Sequence, residues 1–242
     1  MTLICVSAAM REIVEEFELA ARFDVGRILI TGEPGVGKAH LAAFIHQNSE
    51  RHRRPFVVVD CITETAAPTL GGASFSRGRL PQAFRAAEGG TLFLREVGHL
   101  DAAAQADLMD MLDAEIGGEP GRASRMQIVC SAESTLFGRL AAGSFPIQLY
   151  YRLNTMYLPI PPLRERREDV LALFRHFLAE EATRQRVSAP EVPDAWRHAI
   201  EHHPWPGNVR ELRDVAESVV GDPSSPSILR LGRRREPRGA GR

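Results

Sequence analysis

The densest chemistry in the chain lies in GEPGVGKA, Gly32 to Ala39. Its spacing is that of a phosphate-binding loop, GxxxxGK. Glycines let the backbone curl until successive N–H groups face phosphate oxygens, the start of the next helix adds partial positive charge, and the lysine reaches the outer phosphates. Lys38 is the only lysine present; every other member of the 30 basic residues is arginine. A compact ammonium fits inside such a loop where a planar guanidinium does not, which marks Lys38 as a phosphate ligand. The eighth position, Ala39, lacks the hydroxyl that the general pattern offers to magnesium. A second knot of charge ends TLFL (91 to 94), where Arg95 and Glu96 stand side by side.

These residues need a strand and a helix to hold them. RILIT (27 to 31) is a short apolar strand leading into the glycines, and AHLAAFIHQNS after them has helical spacing. PFVVVD (55 to 60), TLFL and MQIVCSA (126 to 132) read as three further strands. AAAQADLMDMLDAEI reads as a helix between the last two, closed by Gly117 and Gly118, and residues 10 to 23 place Ile13, Phe17, Ala20 and Ala21 on one helical face. The alternation predicts an α/β fold with a mostly parallel sheet covered on both faces. LPIPPL (158 to 163) breaks the pattern with its prolines, and the residues after it to about 220 read as helical. The organisation expected is an α/β unit over 1–162, a small helical lid over 163–220 and a disordered tail over 221–242.

Six blocks in order, ILITGEPGVGK, PFVVVDC, GGTLFLREV, LYYRLN, LPIPPLRERREDVLAL and WPGNVRELRD, resemble the motifs of the AAA+ core of bacterial enhancer-binding proteins, the sigma-54 interaction domain family. The resemblance runs from about residue 3 to residue 220. It implies a P-loop nucleotide-binding subdomain followed by a helical lid, with ATP as the ligand. Residue by residue, it implies that Gly32, Gly35, Val36, Gly37, Lys38 and Ala39 form the phosphate cradle and that Glu96 orients the attacking water. Asp60 stands where the family usually has an asparagine that switches that glutamate. Arg152 matches an arginine finger acting on the neighbouring subunit's nucleotide, and Arg210 matches the lid arginine that senses nucleotide.

The same resemblance exposes departures. The family carries a magnesium-holding aspartate where this chain has Arg95. Two like charges about 4 Å apart cost roughly 4 kcal/mol at an effective dielectric of about 20, so Arg95 and magnesium should compete. Arg95 is expected to pair with Glu96, to sit on a phosphate in the metal's place, or to turn outward at the strand end, and no residue is assigned as a metal ligand. The family's other finger falls at Pro146, and the asparagine that senses the γ-phosphate falls near Glu133. The GAFTGA hexapeptide that meets the sigma factor does not occur; GASFSR, Gly72 to Arg77, is its worn counterpart, with Phe75 and Ser76 echoing the Phe-Thr pair. The expectation is a divergent core that binds ATP, hydrolyses it slowly or not at all, and acts in transcription through related AAA+ subunits, with sigma-54 engagement weakened. Two alternatives stay open: a magnesium-dependent ATPase whose metal is held by Asp60 and Glu96, and a non-catalytic interaction protein.

Composition bounds these readings. The chain has 242 residues, 44% hydrophobic and 25% charged, enough for a proper core. Six arginines after Gly221 face only Asp222 and Glu236, so a basic tail follows a mildly acidic body. Such a tail could touch nucleic acid by charge alone. Cys5, Cys61 and Cys130 form no CxxC pair, which argues for reduced thiols and no zinc site. No basic leader and no membrane-spanning run is read, so a cytoplasmic protein is expected, without a membrane or a DNA-binding domain of its own.

Overall fold

The computed structural model describes residues 3–23, 25–62, 79–116 and 126–221. Two compact units emerge. The first takes in the described residues of Glu12–Glu33 and Gly37–Ile160; the second takes in those through Arg11, Pro34–Val36 and those from Pro161 on. GASFSR and the basic tail lie outside the described residues.

The first unit is built on five parallel strands, β1 (Arg27–Thr31), β2 (Phe56–Asp60), β3 (Thr91–Arg95), β4 (Gln127–Ala132) and β5 (Met156–Pro159), in the order β2-β3-β4-β1-β5. β4 is buried along its whole length and β3 nearly so, as expected of strands whose two faces are both covered. Around the sheet run α1 (Ala8–Arg22), which starts in the second unit, then α2 (Lys38–Asn48), α3 (Arg79–Ala86), α4 (Ala102–Ile116), α5 (Thr135–Ala141) and α6 (Ile147–Leu153). Phe17, Ala20 and Ala21 of α1 are buried, as their spacing predicts. Leu92, Leu94, Ile128, Leu108, Leu112 and Leu149 are all buried in one core, joining strands to helices.

Four of the strands match the sequence reading, and the fifth does not appear in it. β5 is four residues long and ends on Pro159, so its residues read as a boundary. Proline is compatible with a sheet edge, where its missing N–H breaks no ladder. Beyond it Ile160 donates its N–H to Thr31 O at 2.8 Å, tying the end of β5 to the end of β1.

The second unit is helical: α7 (Arg167–Gln185), α8 (Asp194–His202) and α9 (Asn208–Gly221). Its core gathers Leu163, Val170, Phe174, Trp205, Leu212 and Ala216, with Ile4 packed against it. Asp169, fully buried, accepts the N–H groups of Val6 and Ser7 and the Ser7 hydroxyl, which fastens the N-terminal segment to α7.

Candidate nucleotide-binding site

The loop after β1 takes the backbone shape its glycines allow. Gly35 and Gly37 have φ of 81° and 109°, and Gly37 leads directly into α2. A side chain at Gly35 is excluded twice, by that φ and because a Cβ there would lie 2.2 Å from the Gly207 carbonyl oxygen. Lys38 is buried at the start of α2. Its Nζ donates to Gly32 O at 2.7 Å and Glu33 O at 3.3 Å, and makes an ion pair with Glu96 Oε1 at 3.0 Å. The ammonium is thus curled back along the loop.

Glu96 follows β3 in a left-handed conformation, φ 58°, which a non-glycine residue adopts at some cost. Ser131 of β4 holds it there, accepting the Glu96 N–H at 2.9 Å and donating its hydroxyl to Oε1 at 3.3 Å. Glu96 is only 7% exposed, and its Oε2 has no hydrogen-bond partner among the described residues. A buried carboxylate oxygen without a donor is a place for a water or a ligand group. With Lys38 on one oxygen, Glu96 leaves the other to accept.

Arg95 does not pair with Glu96, contrary to one of the three placements expected for it. Its Nη1 lies 3.0 Å from Asp60 Oδ2. The reason is strand geometry: successive side chains point to opposite faces, whereas directly paired residues on neighbouring strands point the same way. Asp60 and Arg95 are register partners at the ends of β2 and β3. The Asp60 and Glu96 carboxylates therefore each face a cation, Arg95 and Lys38 respectively, and they do not fit a shared magnesium ion. No group of three or more His, Cys, Asp or Glu able to hold a metal ion occurs among the described residues. A nucleotide's phosphates, by contrast, suit the curled loop and the buried ammonium, while the unpartnered Glu96 oxygen, an acceptor, suits a donor such as water.

The other residues singled out in the sequence stand as follows. Ala39 is exposed in the first turn of α2. Arg152 on α6 is held by Asp113 of α4 in a two-point pair, Nε to Oδ1 at 2.7 Å and Nη2 to Oδ2 at 2.8 Å. Pro146 caps the start of α6, and Glu133 is half-buried just after β4. Arg210 on α9 is exposed, while its backbone N–H donates to Gly35 O at 3.2 Å. Burial pushes the Cys61 thiol up to about 12, with Asp60 and Glu96 adding to the shift.

Sequence reasoning missed Ser131, Asp113, Asn208 and Arg166. Asn208, fully buried with φ 54°, accepts the Leu163 N–H at 2.8 Å and donates Nδ2 to Pro34 O at 3.0 Å. Arg166 is 4% exposed and donates Nη2 to Val36 O at 2.9 Å. Burial lowers the Arg166 pKa below its ordinary value, and Asp169 opposes that shift. Asn208 sits inside the quoted WPGNVRELRD block, so only its role went unread.

The sigma-54 interaction domain matches residues 3–159 of the chain, and the AAA+ ATPase lid domain matches residues 164–226. The nitric oxide reductase transcription regulator NorR2 of Cupriavidus necator is 35% identical over 248 residues, covering 98% of this chain and 45% of its own. The C4-dicarboxylate transport transcriptional regulatory protein DctD of Rhizobium meliloti is 36% identical over 235 residues, covering 91% and 50%. Among solved structures, NtrX from Brucella abortus in complex with ATP superposes with a TM-score of 0.75 at 29% identity, over 99% of this chain and 55% of that one. Its complex with ADP gives 0.76 at 28%, over 93% and 53%. The chain spans about half the length of the relatives it matches.

Proposed function

Since the chain belongs to the sigma-54 interaction domain family of AAA+ proteins, we propose that it is an ATP-binding core acting in the regulation of transcription, with ATP hydrolysis and sigma-54 engagement both impaired. The observation that carries this reading is the Arg95–Asp60 ion pair, in a chain whose phosphate loop keeps Lys38. What bound ATP supplies is a polyanion matched to the loop. Lys38 exchanges part of its pairing with Glu96 and the loop carbonyls for phosphate oxygens, while the Gly35, Val36 and Gly37 N–H groups donate. Glu96 Oε2 accepts from a water and orients it. Arg95 gives Asp60 the positive partner that a metal would otherwise be, but offers no open coordination position to a phosphate.

The protein's partners on this reading are related AAA+ subunits, of its own kind or another, in the cytoplasm. Arg152 reaches a neighbour's nucleotide only after leaving Asp113, and Pro146 supplies no second finger. A finger is commonly worth about 10³ to 10⁵ in phosphoryl-transfer rate, so its loss alone makes turnover slow. Sigma-54 contact is weakened because the hexapeptide that makes it is missing from the sequence.

Phosphate release by the purified protein in ATP and magnesium tests the proposal. The expected rate does not exceed that of a Lys38→Ala variant. Magnesium-dependent release that Glu96→Gln abolishes would contradict it and favour an active ATPase with rearranged ligands.

A further inference from the structure

Three consecutive carbonyls of the phosphate loop are taken up inside the second unit. Pro34 O accepts from Asn208 Nδ2 at 3.0 Å, Gly35 O from the Arg210 N–H at 3.2 Å, and Val36 O from Arg166 Nη2 at 2.9 Å. None of these peptides is cis. In a planar trans peptide the C=O of one residue and the N–H of the next point in opposite directions. Fixing the carbonyls of Pro34, Gly35 and Val36 therefore fixes the N–H groups of Gly35, Val36 and Gly37, which point away from the three donors. Successive N–H groups so turned form a concave anion nest.

The donors are well anchored. Asn208 is fully buried in a left-handed conformation that asparagine tolerates better than most residues, and its Oδ1 is fixed by the Leu163 N–H at 2.8 Å. Arg166 is 4% exposed at the start of α7, so water has little access to compete for its bond to Val36 O. The close approach of Gly207 O to Gly35 leaves the loop no room to relax on that side.

We propose that Asn208 and Arg166 are positioning residues that aim the phosphate-loop amides, setting nucleotide affinity without touching the nucleotide. The proposal rests on the nucleotide-binding reading above. Asn208→Asp keeps the backbone conformation and the acceptor for Leu163 while deleting the donor to Pro34. Arg166→Met deletes the donor to Val36, and Arg166→Lys keeps a cationic donor.

The test is ADP binding to the full chain by calorimetry, together with amide order parameters of residues 35 to 37 in nucleotide-free protein. Losing one neutral or charged hydrogen bond to the loop is expected to weaken ADP binding about tenfold in Asn208→Asp and Arg166→Met, with Arg166→Lys close to wild type. Loop order parameters fall in the two deficient variants, measured well below their melting temperatures. Folded variants with wild-type affinity and wild-type loop order overturn the proposal. Should the wild type fail to bind ADP, the nucleotide reading falls, and loop order alone upholds or overturns the clamp.

Discussion

Arg95 changes the sign of the charge that Asp60 meets at the end of its strand, and the rest of the site follows from that exchange. Asp60 meets a guanidinium at 3.0 Å and Glu96 Oε1 an ammonium at 3.0 Å, so each carboxylate already has its own cation and the two do not converge on one divalent ion. Replacing Arg95 by Asp sets two carboxylates in register. Because the pair is partly exposed, the cost without metal is small, about 1 kcal/mol. The expected signature is a melting temperature that magnesium raises in Arg95→Asp and leaves unchanged in the wild type; equal responses would place the metal elsewhere. Lys38 was legible in the sequence because it closes a local motif, with two of its partners five and six residues back along the same loop. Asn208 and Arg166 were not, since they meet the loop across 174 and 130 residues of chain. The partner of Arg95 went unread for a related reason: adjacency in sequence suggested Glu96, and only the pairing of β2 with β3 selects Asp60.

At the scale of elements, each of the four strands read from the sequence announced itself by an apolar run, whereas β5 needed β1 as a template to be recognised. The joint between α2 and the sheet carries a titratable group of its own. His46 of α2 is buried, its Nδ1 2.9 Å from Thr91 Oγ1 at the start of β3, with its ring 5.0 Å from that of Phe56. Burial lowers its pKa from the usual 6.5, and His52 adds to the shift. The native state therefore holds the ring neutral where the unfolded chain already binds a proton. The stability this contributes is fully present above about pH 6.5 and is lost as pH falls through that value toward the lower native pKa. Denaturant melts between pH 7.5 and 5 are expected to show this loss in the wild type and a smaller one in His46→Gln. Equal slopes would assign the pH dependence to other groups.

For the molecule as a whole, the α/β class, the helical region after the prolines and the phosphate loop were all readable from periodicity, punctuation and one motif. The segment fastened to Asp169 was not, because residues 6 and 7 carry no pattern that points 162 residues ahead. On the proposed reading these pieces form a nucleotide-binding core in which an arginine stands at the family's metal position. Its most direct test is calorimetric titration of the purified protein with ATP, with and without magnesium, against Lys38→Ala. Binding lost in Lys38→Ala and indifferent to magnesium is the predicted result; binding that requires magnesium would contradict the account.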